Sequence, residues 1–331
     1  MRLAVRSAAV VSAAALVGGG LLSGPPASAG PLRLAPAAPC VQPARGAVPA
    51  ARRHADTPHL TAADLAALSE RQQPGEPRVT RQQATGPAPL RTGARSSAVI
   101  LPAHVHVPVF VHVIRGTHRG ERPRAGRKVL RRWIRHLNEG FHGAQSTTSP
   151  HTRYTFVLKH VDYHKRERWW RASPFSRADR RMRRTLHRRG PRTLNLYITG
   201  GQPGTLGWSR FPWQYSHRPR LDGVTVTRRA FPGGSARGYN RGDTLIHETG
   251  HWLGLLHTFQ GGCSGSGDLV ADTPAEAQPS FYCEVGRDTC PQPGTDPVRN
   301  FMDYSLDRCM DTFTPGQAVR MDRAWLRYRA P

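Results

Sequence analysis

From position 243 to position 257 the chain reads Asp243-Thr244-Leu245-Ile246-His247-Glu248-Thr249-Gly250-His251-Trp252-Leu253-Gly254-Leu255-Leu256-His257, three histidines with a carboxylate beside the first. At about 100° per residue, His247 and His251 share one helix face one turn apart, so both imidazoles reach a single metal ion. Glu248 then stands close to the ion without binding it, placed to take a proton from a zinc-bound water. Gly254 ends the helix: lacking a Cβ, it adopts the positive φ that turns the chain and returns His257 to the metal from another direction. Three protein ligands leave a fourth position open, which marks a catalytic zinc ion rather than a structural one. With 16 histidines in 331 residues, a bare pair with the intervening Glu arises by chance in about one such chain in fifty, but the full pattern in roughly one in ten thousand. The motif therefore predicts a zinc-dependent hydrolase.

Farther along, Asn300-Phe301-Met302-Asp303-Tyr304 follows at the distance of a tight methionine turn that floors such zinc sites. Taken with the run from Gly242 to Cys263, with Asp272-Thr273-Pro274 and with Phe313-Thr314, it resembles the pappalysin family of metzincins in its microbial, cytophagalysin-like branch. The resemblance runs from Val105 to Arg327 and is strongest after Leu206. It implies an α/β (α+β) fold: a metzincin-type zincin catalytic domain with a mixed twisted sheet, a backing helix, the zinc helix above it, and an irregular disulfide-bonded C-terminal subdomain. It also implies a zinc metalloendopeptidase acting on extracellular proteins or peptides. Met302 would support the site without touching the metal, and Tyr304 would bind zinc weakly at rest or hydrogen-bond the reacting oxyanion. A phenol suits the second role, because a donor aimed at developing charge stabilises the transition state more than the ground state. The family's cleft-edge strand, which pairs with extended substrate, is expected in the Gly207 to Trp213 or Leu221 to Val226 region.

The beginning of the chain places this chemistry outside the cell. Arg2 and Arg6 precede a short apolar run from Ala8 to Leu22, and Ala27-Ser28-Ala29 offers a small-x-small cleavage site, so residues 1–29 read as a secretory signal peptide. The run is shorter than the roughly 20 apolar residues that span a bilayer, and no later segment is apolar enough, so no membrane span is expected. Residues 30–102 are rich in Ala, Pro, Arg and Gln and read as a largely disordered pro-segment with one helical island from Thr61 to Glu70. The catalytic domain is expected over residues 103–331.

Export permits disulfides, and four of the five cysteines cluster after the zinc motif. Sequence alone allows three pairings; the family resemblance implies Cys263 with Cys290 and Cys283 with Cys309. Cys40 is left over. Its thiolate can occupy the open zinc position until the leader is removed, a cysteine switch that would make the protein a zymogen; an incidental thiol or an intermolecular partner is the alternative.

Within the catalytic region, Val105 to Ile114 alternates as a strand, and a basic amphipathic helix follows with Val129, Trp133, Ile134 and Leu137 on its apolar side. His106 and His112 read as side chains on one face of that strand rather than as metal ligands. Arg153 to Tyr163, Leu194 to Ile198 and Leu221 to Val226 read as further strands, with a second basic helix from Arg177 to Arg188.

The formal net charge is +26, with arginines concentrated between Arg115 and Arg192, while half of the 22 acids gather between Asp243 and Asp311. Coding bias and a solvated basic face account for the excess, so no specific nucleic-acid partner is expected. Asp268, Asp272 and Thr273 supply hard oxygens in a loop, where a calcium ion is expected besides the zinc. Arg308 falls in the segment that the resemblance assigns to the pocket for the residue after the scissile bond, where its charge would disfavour Arg or Lys. The chain is expected to act as a monomer. Two other readings stand beside the peptidase: a secreted polycationic binding protein on an inactive zincin fold, and a zinc hydrolase of a non-peptide amide.

Overall fold

The computed structural model describes residues 101–117 and 125–330. The expected signal peptide, nearly all of the expected pro-segment and Cys40 lie outside these residues.

Strand β1 (Val105–Arg115) owes its place to alternation: Val105, Val107, Val109, Val111 and Val113 all point into the main core, while His112 and Ile114 face the other side. It pairs in parallel with β2 (Tyr154–Lys165) and with β3 (Leu194–Thr199). β5 (Val224–Thr227) continues the parallel sheet from β3, and the three-residue β4 (Gly207–Ser209) closes its edge antiparallel to β5, giving the order β2-β1-β3-β5-β4. The mixed sheet matches the expected fold. β3 and β5 are buried along their whole length, as strands covered by helices on both faces must be.

One face carries α1 (Arg127–Phe141), whose Leu130, Trp133, Ile134 and Leu137 are buried while its arginines face solvent, together with α4 (Asp243–Trp252). Opposite lie the four-residue α2 (Glu167–Trp170) and α3 (Arg177–Leu186), which cover a smaller cluster of Ile114, Met182, Leu186 and Tyr197. The second basic helix is not a fully solvated face. Arg183 is wholly buried, bonded to Asp179 at 2.8 Å, to the carbonyls of Leu221 and Gly223 at 3.2 and 2.9 Å, and to Thr225 Oγ1 at 2.7 Å. A buried guanidinium is tolerable only when its charge and donors are matched in this way.

After α4 the chain runs irregularly to α5 (Pro315–Ala324), stapled by Cys263–Cys290 and Cys283–Cys309, the pairing the family resemblance implied. α5 was not anticipated, although Thr314-Pro315-Gly316-Gln317 carries its signal: Thr314 Oγ1 accepts the Gln317 N–H at 3.1 Å, Gln317 Oε1 accepts the Thr314 N–H at 2.9 Å, and proline opens the first turn. The last turn brings Arg329 into the interior, where it meets Asp222 at 2.9 and 3.1 Å and the Trp252 carbonyl at the end of α4.

Candidate metal centre and active site

Helix α4 is anchored at its first turn before it presents any ligand. Gly242 precedes it without a capping side chain, and Asp307 Oδ2 instead accepts the N–H groups of Arg241 and Gly242 at 2.7 and 3.1 Å. A carboxylate there satisfies helix-terminal donors and complements the helix dipole. Burial nonetheless pushes the Asp307 carboxyl up to about 7. From α1, Trp133 Nε1 donates to the Gly242 carbonyl at 3.1 Å and His136 Nε2 meets Asp243 Oδ1 at 2.5 Å.

The predicted ligands then converge. His247, His251 and His257 are all buried, and His251 Nε2 lies 3.1 Å from both His247 Nε2 and His257 Nε2. The turn is made as expected, by Gly254 at φ 101° just past the end of α4. On His247, Nδ1 donates to the Phe301 carbonyl at 2.7 Å; on His251, Nδ1 donates to the Leu255 carbonyl at 2.8 Å. A carbonyl only accepts, so both Nδ1 atoms carry hydrogen and both Nε2 atoms present lone pairs to the centre. Lone pairs crowded at this distance repel unless a cation lies among them. A tetrahedral zinc ion with Zn–N of about 2.0–2.1 Å sets its ligands roughly 3.3 Å apart, so the three rings fit the ion.

Met302 and Tyr304 lie close to the three histidines. Met302 is fully buried under α4, its sulfur so near Gly250 that a Cβ on Gly250 would come within 2.5 Å of it. The Met302 carbonyl accepts the Thr258 N–H at 3.2 Å, and Asn300 Oδ1 accepts the Met302 N–H at 2.9 Å. Asn300 is fixed in turn by Gln317 of α5, at 2.9 and 3.1 Å. Tyr304 packs its ring 5.0 Å from His257 and 5.8 Å from His247. Beside these groups opens a pocket of about 370 Å³, lined by His247, Glu248 and Tyr304 together with Leu206, Gly207, Tyr239 and Met310. β4 thus borders the cleft, within the first of the two regions anticipated for the edge strand.

Two placements differ from expectation. Arg308 is exposed and is not among the residues lining the pocket; its neighbours Asp307 and Met310 are. The main chain there turns so that residues 307, 309 and 310 go inward, with Cys309 held by its disulfide, and residue 308 goes outward. Asp272 caps α5, accepting from Thr314 Oγ1 at 2.7 Å and the Gly316 N–H at 2.8 Å. Asp268 accepts the Val270 N–H at 3.0 Å, and burial raises its carboxyl to about 7. With Asp272 spent on the helix, the calcium expected at Asp268, Asp272 and Thr273 is not carried further.

Sequence reasoning missed the supporting carboxylates. Glu276, buried, accepts from Thr258 Oγ1 at 2.8 Å beside His257 and pairs with Arg287 at 2.9 Å; burial raises its carboxyl to about 8. Nothing in the spacing of Glu276 to the zinc motif marks it, because the contact forms across an irregular loop.

Comparison with known proteins agrees with this geometry. The profile of the family described as Peptidase_M43, pregnancy-associated plasma protein-A, matches residues 224–325. An extracellular metalloprotease of Pyricularia oryzae is 36% identical over 261 residues, covering 78% of this chain and 88% of its own. Extracellular metalloprotease 1 of Coccidioides posadasii is 38% identical over 236 residues, covering 70% of this chain and 80% of its own. Among solved structures, mature mirolysin of Tannerella forsythia in complex with a cleaved peptide superposes with a TM-score of 0.55 at 26% identity, covering 67% of this chain and 91% of that one.

Proposed function

This chain belongs to the pappalysin (Peptidase_M43) family of metzincin zinc metalloendopeptidases, and on that premise we propose that it is a secreted endopeptidase, made as a zymogen, that hydrolyses extracellular proteins with Glu248 as its proton carrier. The relatives named above are extracellular metalloproteases, and no helix among the described residues is long and apolar enough to cross a membrane.

The observation that carries the reading is the convergence of three histidine Nε2 atoms beside a pocket that His247, Glu248 and Tyr304 line. His247, His251 and His257 would hold the ion. When bound, zinc supplies Lewis acidity that polarises the scissile carbonyl and lowers the pKa of water. Glu248, 1% exposed, takes the proton as water attacks and returns it to the leaving amine, so the carboxylate is restored without a covalent intermediate. The Tyr304 hydroxyl donates to the oxyanion as its charge develops. β4, at the sheet edge beside the pocket, offers backbone groups to an extended substrate, and the pocket between Leu206, Tyr239 and Met310 receives a side chain.

Latency rests on Cys40 and on a relative whose solved forms include promirolysin. Cys40→Ala is expected to give a precursor that is active before processing; unchanged latency would remove the switch and leave the peptidase reading intact.

Casein or gelatin cleavage tests the whole. It is expected to be lost on chelation and in Glu248→Ala, with zinc content of the variant unchanged. Cleavage that persists in Glu248→Ala would end the assignment of the base, and zinc binding without any cleavage by the processed wild type would favour the binding-protein reading.

A further inference from the structure

On the sheet face turned away from α4, β1 and β2 bring together a second set of ligand-type side chains. His112 stands opposite Asp162 in the parallel register, and the two-residue period puts His160, Asp162 and His164 on one side of β2. His112 is fully buried with its ring stacked 5.0 Å from that of Tyr197.

Both nitrogens of His112 face oxygen. Nε2 lies 3.1 Å from Asn195 Oδ1, and Nδ1 lies 2.9 Å from Asp162 Oδ1. The Asn195 amide is oriented by Arg188, whose N–H donates to Oδ1 at 2.9 Å and whose carbonyl accepts from Nδ2 at 3.0 Å. An amide oxygen accepts only, so His112 Nε2 carries hydrogen. In the neutral ring, Nδ1 then aims a lone pair at a carboxylate oxygen, a contact that requires a second proton or a cation between the two. His164 Nε2 also lies 2.9 Å from Asp162 Oδ1. That nitrogen is buried and has no hydrogen-bond partner besides this carboxylate among the described residues. Two ring nitrogens crowd one carboxylate oxygen, and all three ligand atoms lie within 4.8 Å of one another.

We propose that His112 Nδ1, Asp162 Oδ1 and His164 Nε2 form a second divalent-metal site, a structural one of zinc-type nitrogen and oxygen ligands, that pins the edge strand β2 to β1. The ligand spacing is compatible with metal bonds of about 2.0–2.2 Å after a small outward adjustment. The Nε2–H of His112 held by Asn195 is the outer hydrogen bond that fixes a metal-binding imidazole, the same device that the carbonyls of Phe301 and Leu255 provide for His247 and His251. His160 Nε2, 3.6 Å from Asp162 Oδ2, is near enough to supply a fourth ligand. The site revises the reading of His112 as an ordinary strand side chain: the strand period places it, but the ligand set comes from β2 and the tautomer from β3.

Zinc stoichiometry of the chelator-stripped full chain, measured by calorimetry and elemental analysis, decides. Wild type is expected to bind two equivalents of Zn²⁺, Asp162→Asn one, and His247→Gln one. Asp162→Asn preserves shape, and the part-exposed His164→Ala gives a second route to the same loss if the first variant does not fold. Saturation of wild type at one equivalent, or two equivalents persisting in Asp162→Asn or His164→Ala, overturns the site and leaves a hydrogen-bonded His112–Asp162 pair. Because His247→Gln reads this site without the catalytic one, its result is independent of the peptidase reading.

Discussion

Met302 fills the space that Gly250 leaves on the underside of α4: a Cβ at position 250 would lie 2.5 Å from the Met302 sulfur. The methionine turn and the zinc helix therefore approach as closely as a missing methyl allows, and that approach puts the Phe301 carbonyl within 2.7 Å of His247 Nδ1.

Gly250→Ala is expected to push the turn away from the helix. Overpacking of this kind costs about 1–3 kcal/mol, and displacement of the Phe301 carbonyl should loosen His247. Thermal unfolding and zinc retention against a graded chelator series should both fall, with kcat/KM reduced at least about tenfold. A variant with wild-type zinc retention would show that Phe301 does not orient the ligand.

Tyr304→Phe removes one hydroxyl at the pocket while leaving the ring that packs against His257. Loss of an oxyanion donor costs roughly 10²–10³ in kcat, with KM little changed, because the interaction is made mainly in the transition state. Steady-state kinetics on a quenched peptide checks this; a pure KM effect would assign the hydroxyl to substrate binding instead.

The His136–Asp243 pair at the start of α4 ties stability to pH. Burial opposes charging His136, but the Asp243 and Glu139 carboxylates together outweigh it and raise the pKa above 6.5; burial raises Asp243 as well. A group whose folded pKa exceeds its unfolded value stabilises the fold fully at lower pH and loses that contribution as pH rises through the folded value. Melting temperature should thus decline from about pH 6 upward through the raised His136 pKa, and His136→Gln should flatten that decline. An identical pH profile in the variant would dissociate the pair from stability.

Substrate preference should follow the residues that line the pocket. Arg308→Glu is expected to leave the cleavage profile of a peptide library unchanged, since Arg308 lies outside the pocket, whereas Met310→Ala should widen acceptance of large side chains. A shift in Arg308→Glu toward basic residues would restore a role for its charge.

The paired disulfides close loops of 27 and 26 residues in sequence separation around a region with little regular structure. Removing Cys283–Cys309 by double serine substitution should cost about 2–4 kcal/mol, read as a lowered melting temperature and faster autolysis.

Local pattern alone determined a good deal here. The helix period fixes that His247 and His251 share a face, an L-residue's aversion to positive φ fixes the turn at Gly254, and strict alternation fixes which side of β1 its valines take. Family resemblance then supplied Met302, Tyr304 and the disulfide pairing. Tertiary structure decided what local pattern does not encode. The side chain of residue 308 turns outward because its neighbours are held inward by a disulfide and by capping of α4. Asp272 serves a helix 42 residues away, Glu276 reaches Thr258 across a loop, and His112 gains Asp162 and Asn195 from strands 50 and 83 residues distant. Spacing along a helix or strand is fixed by backbone geometry and can be read in one dimension; partnership across loops depends on how the chain packs, and only the folded arrangement sets it.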